Sequence, residues 1–294
     1  MFTEGQLYSP VTTTADGDVT VHLSDVHPGV GDPEYRARRN AIAALALAYR
    51  PGRKLPRIDY TAEEHEVWRI VSKELARKHE HFAAGEVREG ASRLGLPADH
   101  VPQLDEVTAR LVPLTGFRYV PAAGLVPLRD FFGAFAERTF HSTQYLRHHS
   151  APLYTPEPDA IHEIIGHANQ LAAPRFADIY AAVGAAVGRL ETDVALHFLA
   201  NVFWFTMEFG VLREQGEVRC YGAGLLSSFG EIEEFRTADL RPLNIAEMGT
   251  ARYDITHYQP ILYCADSMDQ LEDVVGSFFD TMTDDDAARL SRPA

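Results

Sequence analysis

The amino-acid sequence predicts a single, mainly α-helical domain with small β elements, and three observations lead to that prediction. The chain has 294 residues, 46% of them apolar, which is enough to build one large hydrophobic core. Apolar residues recur at helical spacing along most of the chain, whereas the alternation typical of strands is confined to short stretches. No repeat, low-complexity segment or long linker marks a second domain.

Charge and cysteine content narrow the class of protein. The net charge is −15, so no basic surface favours nucleic acid or an anionic membrane as partner. No apolar stretch approaches the roughly 20 residues of a membrane span, and the first thirty residues do not resemble a signal peptide. Two cysteines, Cys220 and Cys264, are too few for a disulfide framework and favour a reducing compartment. We therefore expect a cytoplasmic protein without nucleic-acid or membrane partners.

The sequence predicts an irregular lead-in that ends where the first helix of the domain begins. Residues 1–32 are expected to form an irregular lead-in, and residues 33–294 the domain. An Ala/Leu-rich pattern predicts a first helix from Glu34 to Tyr49. Thr61 and Glu64 then form a capping box that begins a second helix, behind which apolar residues follow a 3.6-residue period.

Shorter patterns complete the chain and keep it predominantly helical. They predict helices at 84–94 and 104–111, a strand at 117–120, a helix from Pro127 towards Tyr145, helices at 176–187 and 196–209, strands at 217–221 and 253–263, and a last helix capped at Ser267.

The stretch 154–167 is rich in metal-binding side chains. Thr155 is expected to be the N-cap of a helix that carries His162 and, five residues later, His167. Zinc proteases of the His-Glu-x-x-His type need a gap of four, and on a regular α-helix a gap of five leaves the side chains roughly 140° apart. Both histidines can reach one metal only if the helix ends or widens between them, which Gly166 would permit. Two ordinary helical histidines remain the alternative.

Glu208 is the third candidate ligand. It lies in the aromatic, apolar run 202–209, where an isolated ionised carboxylate would cost several kcal/mol to bury. A buried ion pair with an arginine would stabilise it, and so would a metal. Two histidines and one carboxylate form the facial triad of non-haem Fe(II) oxygenases.

Two further features could serve a substrate. Arg147 could hold a carboxylate through two parallel hydrogen bonds, although a structural ion pair is the alternative role. The glycine-rich run 221–230 lacks the lysine of a P-loop and the G-x-G-x-x-G spacing, so it is not a phosphate loop. Its glycines would instead permit a tight turn that presents Ser227 to a neighbour.

Taken together, three stretches resemble the pterin-dependent aromatic amino acid hydroxylases, above all the members that act on phenylalanine. They are 138–167, 204–210 and 221–231, and weaker similarity extends from about residue 56 to 281. The resemblance implies one catalytic domain of the aromatic amino acid hydroxylase type. It also implies Fe(II) and tetrahydrobiopterin as cofactors, with O2 as co-substrate.

The resemblance further implies a role for each matching residue. The iron ligands would be His162, His167 and Glu208. Tetrahydrobiopterin would stack on Phe131 and contact Gly124, Leu125 and Glu163. The substrate carboxylate would meet Arg147, Thr155 and Ser227, and the substrate ring would lie among His141, Pro158 and Trp204. Ser227 would also orient His162.

The chain departs from the family pattern at two places close to the expected metal. Phe203 stands where the family usually has tyrosine, and Ala168-Asn169 where it usually has Val-Pro. The animal enzymes also carry a regulatory domain and a tetramerisation helix, for which the sequence shows no counterpart. We therefore expect a constitutively active, monomeric catalytic core.

The expected reaction is hydroxylation of free phenylalanine to tyrosine. Trp204 and the apolar Ile255 favour phenylalanine, with tryptophan or tyrosine hydroxylation as alternatives. Outside this class, the chain could be a zinc-dependent hydrolase or a non-catalytic binder of metal or pterin.

Overall fold

The computed structural model describes residues 9–255 and 257–292. Helices dominate these residues, as predicted. They are α1 (Pro33–Ala48), α2 (Ala62–Phe82), α3 (Gly85–Leu94), α4 (Leu104–Thr115), α5 (Leu128–Gly133), α6 (Asn169–Leu171), α7 (Pro174–Val187), α8 (Asp193–Phe203), α9 (Ala223–Ser227), α10 (Glu231–Glu234), α11 (Ile245–Thr250), α12 (Met268–Leu271), α13 (Ser277–Thr281) and α14 (Asp284–Leu290).

In the described residues the strands form three small sheets, and several of their side chains are part of the hydrophobic core. Strands β1 and β2 pair antiparallel, β3 and β4 pair parallel, and the other four form a mixed sheet in the order β6-β5-β8-β7. They are β1 (Val11–Thr13), β2 (Val19–Val21), β3 (Arg118–Pro121), β4 (Thr139–Ser142), β5 (Val211–Glu214), β6 (Glu217–Cys220), β7 (Asp239–Pro242) and β8 (Ile261–Ala265).

Three segments have π-helical hydrogen bonding, in which an N–H reaches the carbonyl five residues back. They are His162–Ala168, Trp204–Glu208 and Glu272–Gly276. The first continues into α6 and the second continues α8. Two of the three π-helical segments therefore carry the candidate metal ligands.

The predicted element types are confirmed along most of the chain. Thr61 accepts the backbone N–H of Glu64, and Glu64 accepts that of Thr61, so the capping box of α2 forms. The helix predicted from Pro127 towards Tyr145 is wrong beyond Glu137, because Arg138 adopts a left-handed backbone (φ +49°) and ends it. Strand β4 follows, and its parallel pairing with β3 is non-local.

Two other predicted stretches differ from the structure. The lead-in contains the β1–β2 hairpin and is not wholly irregular. The strand predicted over 253–263 is found at Ile261–Ala265. It begins after Pro260, because a proline nitrogen cannot donate a hydrogen bond to a neighbouring strand. Within the predicted range, residue 256 lies outside the described residues. Among the described residues, no helix combines the length and apolarity required to cross a bilayer.

Candidate active site

The two histidines meet because the helix widens between them. Residues 162–168 form a π-helical turn, so five residues make about one turn and both imidazoles face the same side. Their Nε2 atoms lie 3.0 Å apart. The predicted widening is therefore present, but Gly166 serves a different purpose. A Cβ at Gly166 would lie 2.7 Å from the carbonyl oxygen of Ala223, so the glycine allows α9 to pack against the turn.

The helix start was predicted incorrectly. The turn is capped by Asp159, whose Oδ1 accepts the backbone N–H groups of Ile161 and His162 at 3.2 and 3.3 Å. Thr155 instead donates its hydroxyl to the Glu157 carbonyl, within a loop that precedes the helix. The structure prefers Asp159 as the cap because a distant residue, Arg147, neutralises its carboxylate there.

Glu208 is the third candidate metal donor, beside the two histidines. It ends the second π-helical segment, and its carboxylate lies 3.2 Å from Nε2 of His167 and 3.7 Å from Nε2 of His162. Gly222 permits this arrangement, because a Cβ there would lie 2.3 Å from the Glu208 carbonyl. Two ligands on bonds of about 2.1 Å at right angles are about 3.0 Å apart, so these separations suit one metal ion.

A second carboxylate, Glu163, lies beside this set. Its donor atom and those of His162 and His167 fall within 4.8 Å of one another. Burial, together with the charge of Glu208, raises the pKa of Glu163 well above its ordinary value. Glu163 is thus driven towards its neutral form, whereas Glu208 is held ionised by its histidines, which lower its pKa despite burial. Because a carboxylate binds a metal in its ionised form, this difference in pKa favours Glu208 as the ligand.

Each histidine is oriented by a hydroxyl group on its far side. The Nδ1 atom of His162 lies 2.8 Å from Oγ of Ser227, and that of His167 lies 2.8 Å from the hydroxyl oxygen of Tyr180. Burial lowers the pKa of His162 to about 4, and the neighbouring His167 contributes in the same direction. His162 is thus neutral near pH 7, as a metal ligand requires.

All thirteen predicted site residues line one cavity of about 520 Å³, a size typical of small-molecule sites. The structure thus brings the whole predicted set together. Its members are His162, His167, Glu208, Gly124, Leu125, Phe131, Glu163, Arg147, Thr155, Ser227, Trp204, His141 and Pro158.

Arg147 is held in a buried ion pair. Its Nε and Nη2 atoms each donate to the carboxylate of Asp159 at 2.9 Å, and Asp159 has no exposed surface. The structural ion pair considered from sequence is therefore present. The Nη1 group makes no hydrogen bond to any described residue and remains free for a ligand in the cavity.

The hydroxyls of Thr155 and Ser227 already donate within the protein. Thr155 donates to the Glu157 carbonyl, and Ser227 donates to the Ala223 carbonyl at 2.8 Å. Each can therefore accept a hydrogen bond from a ligand but would have to rotate to donate one. For Ser227 the geometry favours orientation of His162 over direct substrate binding.

The aromatic wall of the cavity is fixed by its own contacts. Trp204 stacks on Tyr253 with ring centroids 4.4 Å apart and donates its indole N–H to Gln259 at 3.3 Å. Phe131 packs edge-on against Phe140, which in turn lies 4.7 Å from the His167 ring. The two ends of the cavity thus offer apolar faces on either side of the metal donors.

The two departures from the family pattern have simple structural consequences. Phe203 lines the cavity and packs against Phe132 and Tyr180, with ring centroids at 4.9 and 5.3 Å. Asn169 donates its side-chain amide to the Ile165 carbonyl, and its backbone N–H to that of Gly166. A proline at 169 could not make the second bond.

Sequence reasoning missed a wall of the site contributed by the lead-in. Ser9, Ser24 and Val26 line the cavity. The backbone N–H and hydroxyl of Ser9 donate to Glu157 at 2.7 and 2.8 Å, and Arg39 binds the other oxygen of Glu157 at 2.7 Å. A serine in a polar stretch carries no sequence signal of such a contact.

The fold and the candidate donor set are those expected of a helical enzyme that binds one metal ion through two histidines and a carboxylate, the ligand set of non-haem iron oxygenases. A family model described as biopterin-dependent aromatic amino acid hydroxylase matches residues 13–289. The chain belongs to this family. It is an aromatic amino acid monooxygenase whose cofactors are Fe(II) and tetrahydrobiopterin, with O2 as co-substrate.

Individual relatives agree with this assignment. The chain is 50% identical over 264 residues to the phenylalanine 3-hydroxylase of Streptomyces coeruleorubidus, covering 90% of this chain and 95% of that protein. It is 41% identical over 268 residues to the phenylalanine-4-hydroxylase of Dictyostelium discoideum, covering 88% of this chain and spanning 60% of that relative's length. The cobalt-bound phenylalanine hydroxylase structure from Chromobacterium violaceum superposes with a TM-score of 0.76 at 28% identity, covering 86% and 92% of the two chains.

Proposed function

We propose that this protein hydroxylates the aromatic ring of free L-phenylalanine, with tyrosine as the product. The observation that supports the proposal is one cavity that joins the metal donors to Arg147 and to the apolar wall of Trp204 and Ile255. An amino acid carboxylate suits the free Nη1 group of Arg147, and an unsubstituted aromatic ring suits the apolar wall.

The bound iron and tetrahydropterin supply the activation of O2, and the protein supplies placement. His162, His167 and Glu208 would hold the iron. Asp159 fixes the Arg147 guanidinium, so that a substrate carboxylate meets a pre-oriented donor. Phe131, Gly124, Leu125 and Glu163 line the part of the cavity assigned to the pterin, and a neutral Glu163 can donate a hydrogen bond to it.

The test is turnover with Fe(II), tetrahydrobiopterin and O2, with phenylalanine, tyrosine and tryptophan offered separately. Mass spectrometry would report hydroxylation, and NMR the ring position. Phenylalanine is expected to give the highest kcat/KM. Preferred turnover of tryptophan or tyrosine would overturn the assignment of substrate, and pterin binding without any product would revive the non-catalytic alternative.

Hydroxylation at ring position 3 is the second candidate. A phenylalanine 3-hydroxylase is 50% identical and is covered to 95% of its length, whereas the 4-hydroxylases from Dictyostelium, cattle and rodents are 40–41% identical. The NMR spectrum of the product separates the two, because 3-hydroxyphenylalanine and tyrosine have different ring coupling patterns.

We further infer that the chain works as a monomer. Light scattering after size exclusion should give about 33 kDa, close to the chain mass of 32.7 kDa. A dimeric or tetrameric mass at assay concentration would contradict this inference.

A further inference from the structure

The second metal histidine is supported by a buried hydrogen-bond chain that leads away from the cavity. His167 contacts the hydroxyl of Tyr180, and Tyr180 contacts Oε1 of Gln170. The Nε2 group of Gln170 then donates to two backbone carbonyls, those of Met207 and Tyr221, at 3.2 and 2.9 Å. Tyr180 and Gln170 have no exposed surface.

The direction of every bond in this chain is fixed by counting donors. Two carbonyls face one end of the Gln170 side chain, so that end must be the amide NH2 group and the other end its oxygen. That oxygen accepts the single proton of the Tyr180 hydroxyl. The oxygen of Tyr180 can then only accept, and the proton it accepts must lie on Nδ1 of His167.

The consequence is a fixed tautomer of His167. With a proton held on Nδ1, the ring keeps Nε2 as its metal-binding atom, and Nε2 faces the place where Nε2 of His162 and the carboxylate of Glu208 converge. Ser227 imposes the same tautomer on His162, because its own proton is donated to the Ala223 carbonyl.

We propose that Tyr180, held by Gln170, is a positioning residue that presets His167 as a metal ligand before the metal binds. The ring of Tyr180 is itself locked, with Phe135 and Phe203 at centroid distances of 5.1 and 5.3 Å. The hydroxyl and ring of Tyr180 and the side-chain amide of Gln170 thus define one orientation of the His167 imidazole. The proposal concerns metal binding, so it does not depend on which amino acid is hydroxylated.

The test is Tyr180→Phe with Tyr221→Phe as matched control. Both tyrosines are fully buried, but the hydroxyl of Tyr221 has no hydrogen-bond partner among the described residues. Affinity for Co²⁺ alone is measured by competition with a chromophoric chelator, and stability of the metal-free chain by urea denaturation. Tyr180→Phe should weaken Co²⁺ binding about 10- to 100-fold, and Tyr221→Phe by less than about twofold. Equal affinity in wild type and Tyr180→Phe would overturn the proposal, even if stability falls.

A second measurement needs no variant, and so covers the case in which Tyr180→Phe does not fold. Histidine-selective ¹⁵N labelling of the full-length wild type reports the ring tautomers before and after addition of Zn²⁺. The proposal predicts a proton on Nδ1 of His167 in both states. A proton on Nε2 in the metal-free protein would refute it.

Discussion

Replacing Arg147 with alanine should destabilise the fold as well as weaken substrate binding. Among the described residues, Arg147 is the only cation bonded to Asp159, a carboxylate with no exposed surface, and its removal leaves that carboxylate charged and buried. Breaking such a pair costs about 3–5 kcal/mol. At an unfolding entropy of about 2 cal/mol/K per residue, this corresponds to a fall in Tm of about 5–8 °C for a chain of this length.

The pH dependence of this loss identifies its cause. Burial alone would raise the pKa of Asp159, but the charge and hydrogen bonds of Arg147 hold it below its ordinary value. In the wild type, the pair therefore contributes stability above about pH 4, and this stability is lost as the pH falls through the folded-state pKa. In Arg147→Ala the backbone N–H groups that contact Asp159 remain, but the guanidinium that opposes the effect of burial is gone, so the pKa of Asp159 rises and it takes up a proton on acidification. The stability difference between the two proteins should shrink from pH 7 to pH 4.

Arg57→Ala is the matched control for Arg147→Ala. Arg57 binds Asp105 and Glu106, but its side chain is 48% exposed, and exposed ion pairs contribute little to stability. Urea denaturation gives the stability of each variant, and calorimetric titration with L-phenylalanine gives its Kd. Equal destabilisation by the two substitutions, or a loss at residue 147 that does not change with pH, would refute the reasoning.

Three other substitutions test separate parts of the site. Glu208→Gln removes the charged ligand and should weaken Co²⁺ binding at least 100-fold. Unaltered affinity would indicate that Glu163, and not Glu208, is the carboxylate ligand of the metal. Phe203→Tyr adds a hydroxyl beside the metal donors and should raise the amount of amino acid hydroxylated per pterin oxidised, whereas a constant ratio would make this departure neutral. Burial raises the pKa of Glu231 to about 7, so the folded state favours the protonated carboxyl group. The contribution of this protonated group to the free energy of unfolding is present below about pH 4.5 and is lost as the pH rises through 7. Glu231→Gln should therefore be about 2–3 kcal/mol more stable than wild type at pH 8 and similar at pH 4.5, and equal unfolding midpoints at pH 8 would contradict this.

Local patterns in the sequence predict most of the helices and single out the candidate metal donors that the structure brings together. The capping box at Thr61 needs only its own four residues, and the gap between His162 and His167 already required a widened helix. Glu208 was identifiable because a carboxylate in an aromatic run needs a partner. These signals are local, so no knowledge of the fold was needed to interpret them.

The features that were missed depend on residues distant in sequence. Asp159 replaces Thr155 as the cap because Arg147 lies against it, and β4 forms because β3 runs beside it. Tyr180 lies within the helix predicted at 176–187, and its ring is buried. Spacing along a helix predicts burial, but not which atom a buried hydroxyl contacts.

The π-helical turn at 162–168 makes the position of the residues after it depend on the length of this segment. The extra residue in the turn rotates everything after it by about 100° relative to a continuous α-helix. It therefore sets the direction of Gln170 as well as that of His167. Substitutions at positions other than His162, Gly166 and His167 can be absorbed locally, but deletion of one residue would turn the ligand and its support away together. Apart from these three positions, we expect this segment to accept changes of residue type more readily than changes of length.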